Sequence, residues 1–420
     1  MEQTSPPSNL HNALAGSQML FVAFGAMVLM PILTGLDPSV AMFGAGLGTL
    51  LFQLVTKRKV PVFLASSFAF IAPISLSIQN WGISATMGGL IAVGIVYLLL
   101  GQFVRWRGTD LLKKVLPAVV VGPVIMVIGL SLAPVAVQMA MGKTGDGAIE
   151  LFAYQDALIV SMAALITTLS VATLAKGLFR LVPILCGVVV GSIAAGFLGM
   201  LDGSKVADAA WIAMPNFVAP EFNWQVILFM LPVAIAPAIE HIGDVLAIGN
   251  VTGKDYVKKP GLHRTLSGDG VATSVAACFG APPNTTYSEV TGAVMLTKNF
   301  NPATMTWAAC IAILLAFCGK LGALLQSIPT PVMGGILILL FGSIAAVGMH
   351  SLVKDQVDLS KQRNLCIVAT ILVLGIGGMS VGSATFSLTG ISLCGVVGIL
   401  MNLILPQDSK VSELSENNAE

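Results

Sequence analysis

The sequence predicts an all-α polytopic membrane protein of fourteen spanning segments, built as a 7+7 inverted repeat. Three observations lead to this fold class: the composition, the spacing of the apolar segments, and a repeated glycine-rich sequence. Hydrophobic residues make up 56% of the 420 residues and charged residues only 10%, and the mean hydropathy is +0.90. A soluble domain carries about 25% charged residues. The composition therefore excludes an ordinary soluble enzyme.

The apolar segments set the number of membrane crossings. A spanning helix needs about 20 predominantly apolar residues, and short polar or Pro/Gly-marked breaks separate stretches of roughly this length along the whole chain. The segments fall at roughly 17–34, 38–55, 60–78, 83–103, 112–133, 156–178, 180–200, 225–248, 262–280, 284–296, 303–322, 330–348, 363–380 and 386–405. This count leaves no room for a large soluble domain.

The basic residues support both the count and the orientation. Cytoplasmic connections of membrane proteins hold most of the Lys and Arg. With the N-terminus in the cytoplasm, 18 of the 21 Lys and Arg residues fall in inner connections, and the outer connections keep only Lys143, Lys205 and Lys320. Adding or removing one segment would invert every later connection. We therefore expect both terminal tails, residues 1–16 and 406–420, to be cytoplasmic.

A repeated sequence divides the chain into two halves. Leu185–Gly191 reads LCGVVVG and recurs almost unchanged as Leu393–Gly398, LCGVVG. The glycine five residues after Pro117 likewise matches the glycine five residues after Pro329. Both pairs share an offset of about 210 residues, as two copies of one unit would. Because seven segments is an odd number, the second copy must be inverted in the membrane. The two repeats span 17–205 and 224–405.

Each half also contains an interrupted apolar segment. In the first, Pro61 precedes the pair Ser66 and Ser67, which is suited to capping a helix. In the second, Pro282 and Pro283 precede the sequence Asn-Thr-Thr. Proline disrupts helical geometry, and non-helical backbone within a bilayer is tolerated where it lines a protein cavity. Two such breaks in matching positions predict a polar binding site near the midplane. Simple proline kinks are the alternative.

Three acidic residues lie within apolar segments: Glu240, Asp244 and Glu289. A carboxylate in the membrane costs a few kcal/mol, which points to function. Glu240 and Asp244 lie about one helical turn apart and share a face. Two carboxylates this close do not both ionise readily in a low dielectric, which suits proton uptake. They can instead be a pair of structural hydrogen-bonding groups.

Two further polar residues have less specific interpretations. His241 can belong to a proton relay or a sodium shell, or be a structural histidine beside an acid. Asp269 lies in Gly-Asp-Gly after a basic loop, and we expect it to cap a helix or face water.

Signatures of other functions are absent from the sequence. It has no Walker motif, no G-x-S-x-G elbow and four scattered His residues. We therefore expect no catalysis, cofactor or metal, and transport driven by an ion gradient. The net charge of +1 argues against a nucleic-acid partner.

Five motifs together resemble the nucleobase-ascorbate transporter (nucleobase:cation symporter 2) family, and within it the bacterial uracil permeases. They are Ser66–Phe70, Glu240–Asp244, Pro260–Arg264, Pro283–Glu289 and Ile328–Gly335. The similarity runs in order from about residue 10 to 405. It implies a core domain of segments 1–4 and 8–11, a gate domain of segments 5–7 and 12–14, and short antiparallel strands in segments 3 and 10. It also implies a homodimer in the bacterial inner membrane that imports uracil with protons.

The resemblance also implies roles for individual residues. Glu240 and Glu289 match the two glutamates that bind the base, and the backbones of Phe68 and Ser288 would contact the ring. Proton coupling would involve Glu240, Asp244 and His241. The aromatic rings of Phe68, Phe70 and Tyr287 would stack on the base, with supporting roles for Ser67, Asn284 and Thr286.

Two departures from the uracil-permease pattern leave the substrate range open. Ser288 stands where those permeases have Gly, and Asp244 stands where they have His, as in the purine and ascorbate branches. A xanthine or uric acid permease, a sulfate-type anion transporter, and a channel or non-transporting scaffold are therefore alternatives. Sulfate is disfavoured because the three carboxylates would repel a dianion.

Overall fold

A computed structural model describes residues 9–108, 114–177, 179–383 and 386–406 of the chain. Most of these residues are helical, with two small two-stranded sheets. Six of the helical runs in the described ranges are long and apolar enough to cross a membrane, and four shorter helices are also apolar. The protein is therefore a multi-pass membrane protein.

The first half of the chain contains eight helices and one strand among its described residues. They are α1 (Asn9–Thr34), α2 (Pro38–Val55), β1 (Leu64–Ser66), α3 (Ile71–Arg107), α4 (Ala118–Ser131), α5 (Ala133–Ala140), α6 (Tyr154–Leu174), α7 (Pro183–Phe197) and the short α8 (Ser204–Asp208). A single 3-10 turn, Phe68–Phe70, leads from β1 into α3.

The described part of the second half contains nine helices and three strands. They are α9 (Trp224–Met230), α10 (Ile235–Thr252), α11 (Leu262–Ala277), β2 (Asn284–Thr286), α12 (Ser288–Thr297), α13 (Pro302–Ala316), α14 (Gly319–Gln326), α15 (Thr330–Lys354), α16 (Gln362–Ile376), β3 (Ser380–Ser383), β4 (Phe386–Thr389) and α17 (Gly390–Ile404).

Local sequence signals fix several helix starts. The Asp37 carboxylate accepts a hydrogen bond from the Ser39 N–H at 2.8 Å ahead of α2, and Asn301 does the same for the Ala303 N–H at 3.0 Å ahead of α13. In both helices proline occupies the first position, where its missing N–H leaves no bond unmade. These caps end the loops at the boundaries that the apolar segments suggest.

Helix α3 contains a backbone break at Gly82. Its φ of 83° and ψ of 171° lie outside the helical region, in a conformation that glycine adopts without steric cost. Across the break, the Ser77 and Thr86 hydroxyls lie 2.7 Å apart, and Thr86 also donates to the Gly82 carbonyl. The break falls between the predicted segments 60–78 and 83–103, so α3 consists of two helices that meet at a kink at Gly82.

The β3–β4 hairpin differs from what the apolar segments suggest. Residues 380 and 386–389 were assigned to the last two segments, but the structure pairs Ser380–Ser383 with Phe386–Thr389 in antiparallel register. Helix α16 ends before Gly377 and Gly378, and Gly378 has a φ of 65°. Two successive glycines weaken a helix and permit the turn into the strand, which hydropathy alone does not reveal.

Glycines of the repeated sequence lie at close helix contacts. A Cβ at Gly122 on α4 would lie 2.8 Å from the Gly348 carbonyl on α15, and one at Gly187 on α7 would lie 2.0 Å from the Thr168 hydroxyl on α6. A Cβ at Gly398 on α17 would meet Ile371 on α16 at 2.5 Å. Small residues allow membrane helices to approach closely, which explains why these positions carry glycine.

A candidate substrate-binding site at two interrupted helices

The two interrupted segments meet as an antiparallel pair of strands. Leu64 pairs with Thr286, Ala65 with Thr285 and Ser66 with Asn284. The ladder continues at both ends, because the Ser67 N–H donates to the Pro283 carbonyl at 2.9 Å and the Tyr287 N–H donates to the Phe63 carbonyl at 3.3 Å. The short strands expected in the third and tenth segments are confirmed. They satisfy backbone groups that no helix could satisfy here.

Each strand is held by a threonine from the preceding membrane helix. The Leu64 N–H donates to the Thr49 hydroxyl at 2.9 Å, and that hydroxyl lies 3.3 Å from the Leu64 carbonyl. In the same way the Asn284 N–H donates to Thr273 at 3.2 Å, and the Thr273 hydroxyl donates to the Asn284 carbonyl at 3.1 Å. The two threonines are fully buried. Both strands thus begin at a matching anchor on α2 or α11.

Helical structure resumes immediately after each strand. The 3-10 turn begins at Phe68 after Ser67, and α12 begins at Ser288 after Tyr287. Neither Ser67 nor Tyr287 caps its helix with a side-chain hydrogen bond. The side chains of these two residues therefore do not bind the first N–H groups of their helical segments. N–H groups at the start of a helix favour carbonyl oxygens and anions as hydrogen-bond partners.

The serine pair does not act as the helix cap that its sequence suggests. The Phe70 N–H, which a Ser67 cap would bind, donates to the Ser67 carbonyl in the 3-10 turn. The buried Ser67 hydroxyl has no hydrogen-bond partner among the described residues. Ser66 lies within β1, and its hydroxyl is 3.5 Å from the Met27 carbonyl of α1. The tight turn after β1 is the physical reason for the difference.

Helix α10 brings the Asp244 carboxylate to this junction. Glu240 is half-buried and Asp244, one turn later, is buried. The Asp244 carboxylate accepts a hydrogen bond from the Thr286 hydroxyl at 2.8 Å. Asp244 therefore connects α10 directly to strand β2, and Thr286 has the supporting role expected for it.

Aromatic residues lie beside the strand pair. Tyr287 is buried, and its hydroxyl donates to the Ser66 carbonyl at 2.8 Å, which ties β1 to the start of α12. The Phe68 ring lies 6.3 Å from that of Phe341 on α15 in an edge-to-face arrangement. Phe70 is fully buried in the hydrophobic core. Phe68 thus connects the broken segment to α15.

Asn284 is a structural residue of the site. Its side-chain N–H donates to the Gly44 carbonyl of α2 at 3.0 Å, and the residue is buried. The structure places the backbone of Ser288 and Glu289 in the first turn of α12, but their side chains lie outside its described part. Of the residues predicted to form the site, it brings together Phe68, Asp244, Thr286 and Tyr287.

The prediction for Asp269 is wrong. Its side chain neither caps a helix nor faces water; it is buried, and its Oδ2 atom lies 2.7 Å from Nδ1 of His241. The flanking glycines explain this burial. A Cβ at Gly268 would lie 2.6 Å from the Phe52 ring, and one at Gly270 would lie 3.0 Å from Tyr97 Cβ. Without those side chains α11 packs closely on α2 and α3 and encloses the carboxylate.

A cavity of about 760 Å³ lies on another face of α10. Ile239, Ile242, Gly243 and Leu246, at helical spacing, form one wall. The opposite side includes residues at the start of α4, the end of α15, the start of α16 and the end of α17, among them Lys114 and Arg363. None of the predicted binding residues lines it. The cavity separates α10 from these four helices on the side of the basic connections.

The sequence of this chain is similar to those of known permeases. A model described as "Permease family" matches residues 10–383. A "Probable uracil permease" of Pasteurella multocida strain Pm70 is 56% identical over 99% of this chain and 100% of its own length. A "Uracil permease" of Bacillus caldolyticus is 46% identical over 96% of this chain and 94% of its own. That of Escherichia coli K12 is 37% identical over 92% and 89%.

Solved structures share the fold at low sequence identity. The transmembrane domain of a cyanobacterial bicarbonate transporter, BicA, superimposes with a TM-score of 0.66 at 14% identity, covering 94% of this chain and 97% of that one. The murine anion transporter Slc26a9 in its inward-facing state gives 0.66 at 15% identity, covering 96% and 69%. These likenesses show the fold alone. The permease match and the close relatives show the family: the chain is a transporter, not an enzyme, and belongs to the nucleobase-ascorbate transporter family.

Proposed function

We propose that this protein imports uracil across the bacterial inner membrane by proton symport. The observation that carries the proposal is the convergence of two uncapped helix starts, at Phe68 and Ser288, beside the acidic helix α10. The relatives named uracil permease, at 37% to 56% identity over nearly the full chain, support the choice of base.

The chemistry of uracil suits these groups. The planar ring offers two N–H donors and two carbonyl acceptors. Glu240 and Glu289 would accept hydrogen bonds from the ring N–H groups, and backbone N–H groups at Phe68 and Ser288 would donate to the carbonyls. The rings of Phe68 and Tyr287 would pack on the faces of the base. Ser288 in place of glycine is compatible, since only its main chain is used.

The proton would be taken up at α10. Glu240, His241 and Asp244 lie within slightly more than one helical turn of each other, and Asp244 is bonded to β2 through Thr286. A change in protonation on this helix therefore bears directly on a strand of the binding site. This connection supports coupling between uracil and protons, with protonation and binding sharing one polar network.

We also propose the family architecture for this chain: fourteen segments in two inverted repeats, 17–205 and 224–405, with core and gate domains. The matching anchors Thr49 and Thr273 and the symmetric strand pair support two related units. The cavity between α10 and the α4, α15, α16 and α17 ends supports a division between core and gate, opened toward the cytoplasm. A homodimer with both termini cytoplasmic completes the proposal.

Uptake of labelled uracil into proteoliposomes tests the function. We expect saturable uptake that rises as the external pH falls from about 8 to about 6 and collapses with a protonophore. Accumulation driven by a sodium gradient at constant pH would contradict proton coupling. Non-saturable flux would instead identify a channel.

Competition by other bases measures the substrate range. We expect 5-fluorouracil and thymine to be better competitors than xanthine, because a single pyrimidine ring fills the proposed site. Asp244, which resembles the purine branch at this position, makes a purine permease the second candidate. Stronger competition by xanthine than by uracil would favour that candidate.

A further inference from the structure

A buried polar cluster lies behind the acidic face of α10. It consists of Tyr97 on α3, His241 on α10 and Asp269 on α11, whose exposed fractions are 3%, 1% and 2%. The three helices belong to one packed unit, since a Cβ at Gly270 would lie 2.6 Å from the Gly94 carbonyl and 3.0 Å from Tyr97 Cβ. The cluster therefore has no contact with bulk water in this conformation.

The cluster has fewer hydrogen bonds than polar atoms. His241 Nδ1 lies 2.7 Å from Asp269 Oδ2. Despite this short ion-pair distance, neither ring nitrogen of His241 makes a hydrogen bond within the described residues, and the Tyr97 hydroxyl and Oδ1 of Asp269 make none either. Buried polar atoms are nearly always satisfied, by protein or by ordered water. Four such atoms on adjoining helices mark a site with unused capacity to bind a proton.

The charge of this cluster is unbalanced without an added proton. A buried carboxylate beside a neutral imidazole is an uncompensated negative charge, which is costly in a low dielectric. Arg264 on the same helix lies five residues before Asp269, about 8 Å along the axis, and it donates to the Val55 carbonyl. One proton shared by His241 and Asp269 removes the imbalance.

Other titratable groups on the packed elements carry both signs of charge. Helix α2 carries none, and its Phe52 ring lies 6.4 Å from that of His241. Tyr97 interacts electrostatically with the carboxylates of Asp269 and Glu240. The remaining charged or titratable residues on α3, α10, the start of α11, the turn before it, α12 and α17 are Arg105, Arg107, Asp244, His263, Arg264, Lys258, Lys259, Glu289 and Cys394.

We propose that the His241–Asp269 pair, with Tyr97 beside it, holds the coupled proton. This inference rests on the proposed proton symport and makes it more specific. In the loaded state His241 carries protons on both nitrogens and donates Nδ1–H to Asp269 Oδ2. In the unloaded state Nε2 has released its proton to water and the imidazole is neutral. Glu240, the residue directly before His241, then stays ionised and accepts a hydrogen bond from a ring N–H of uracil.

The test separates accumulation from exchange in proteoliposomes. Asp269→Asn and His241→Gln should lower uracil accumulation under an inward proton gradient by about tenfold or more. A tenfold loss corresponds to about 1.4 kcal/mol of coupling free energy. Uracil counterflow, which needs no net proton movement, should stay within about threefold of the unmodified protein, and uptake should lose its pH dependence. Asp208→Asn, an exposed change on α8, is the matched control and should alter neither measurement.

Tyr97→Phe provides a second variant that removes one hydroxyl and almost no volume. We expect normal counterflow and a pH midpoint of accumulation that moves upward, because the buried cluster becomes less polar and its carboxylate harder to ionise. Unchanged pH profiles in all three variants would overturn the inference, as would a parallel loss of counterflow and accumulation. If the unmodified protein shows no proton-driven uracil uptake, the proposed function fails as well.

Discussion

At the scale of single residues, the hydrogen bond between Thr286 and Asp244 joins the acidic helix to the binding-site strand. The bond is 2.8 Å long and both residues are buried. A hydrogen bond to a charged group contributes about 1.5–3 kcal/mol in such a setting. The Asp244 carboxylate therefore fixes the position of α10 relative to β2 in addition to any part in proton coupling.

Replacing Thr286 by valine tests this connection. The change keeps the side-chain shape but removes the donor, and we expect the free energy of unfolding in detergent to fall by about 1–3 kcal/mol. Thr297→Val on α12 is the control, because the Thr297 hydroxyl bonds only to nearby backbone groups, the Ala293 carbonyl and the Asn299 N–H. Equal melting temperatures for the two variants would show that the Asp244 bond does not hold the helix in place.

The sequence identifies several site residues from their chemical type, but it does not show which of them are in contact. Glu240, Asp244 and Glu289 stand out because carboxylates are rare in apolar segments. The pairing of Asp269 with His241 could not be predicted, since it depends on two glycines that let α11 approach α2 and α3. A Gly-Asp-Gly sequence also occurs in turns, so the tertiary packing determines whether its aspartate is buried or exposed.

At the scale of elements, the short strands depend on threonine anchors from neighbouring helices. Three residues per strand form few hydrogen bonds, and an isolated two-stranded pair is only marginally stable. Thr49 and Thr273 each bond to both backbone groups of the first strand residue. The anchors thus supply at the strand ends what a wider sheet would supply along its length.

Thr49→Val and Thr273→Val should each destabilise the protein by about 1–3 kcal/mol, because a buried backbone N–H loses its partner. The measurement is thermal unfolding in detergent, followed by intrinsic fluorescence. Thr173→Val on the exposed face of α6, where the hydroxyl bonds to the Leu169 carbonyl of the same helix, should have little effect. If all three variants melt together, the anchors do not stabilise the strands.

Helix α15 offers a matched pair of glycines. A Cβ at Gly335 would lie 2.1 Å from the Ser161 carbonyl on α6, whereas Gly342 has no atom within 4 Å of the same position. Gly335→Ala should therefore force α6 and α15 apart and lower the melting temperature by several degrees, since overpacking costs about 1–3 kcal/mol. Gly342→Ala should be neutral or stabilising by up to about 1 kcal/mol. Similar losses in both variants would contradict this packing.

Elements with strong local signals are the ones that the sequence predicts well. The apolar spans predict the starts of α2 and α13 closely, at the caps formed by Asp37 and Asn301, whereas the predicted segment 303–322 runs six residues past the end of α13 at Ala316. The β3–β4 hairpin was missed because its strands have only four residues each and lie at the ends of two apolar segments, where hydropathy gives no sign of a strand. The β1–β2 pair was expected from the family resemblance, since strand partners 220 residues apart leave no local signal.

At the scale of the whole molecule, the asymmetry of basic residues determines the expected orientation. Eighteen of the 21 Lys and Arg residues fall in the connections assigned to the cytoplasm, and the positive-inside rule counts such loops. The large cavity beside α10 includes Lys114 and Arg363 and lies on the same side. In the proposed orientation the cavity opens toward the cytoplasm.

Labelling of single cysteines in a variant without native cysteines tests the orientation. Ala148→Cys, in the exposed outer connection between α5 and α6, should react with an impermeant thiol reagent added to intact cells. Lys258→Cys, also exposed, should react only after the membrane is opened. The reverse pattern would reject the proposed orientation and with it the cytoplasmic opening of the cavity.

We place uracil between α10 and the starts of the two interrupted helices. Equilibrium binding of uracil to the purified protein tests this placement. We expect Glu240→Ala and Glu289→Ala to weaken binding by at least about 30-fold, because each removes a charged hydrogen bond worth about 2 kcal/mol, while both proteins stay folded. Ser288→Gly should bind normally, and N1-methyluracil and N3-methyluracil should fail to compete. Normal binding by Glu240→Ala, or equal competition by both methylated bases, would contradict the claim.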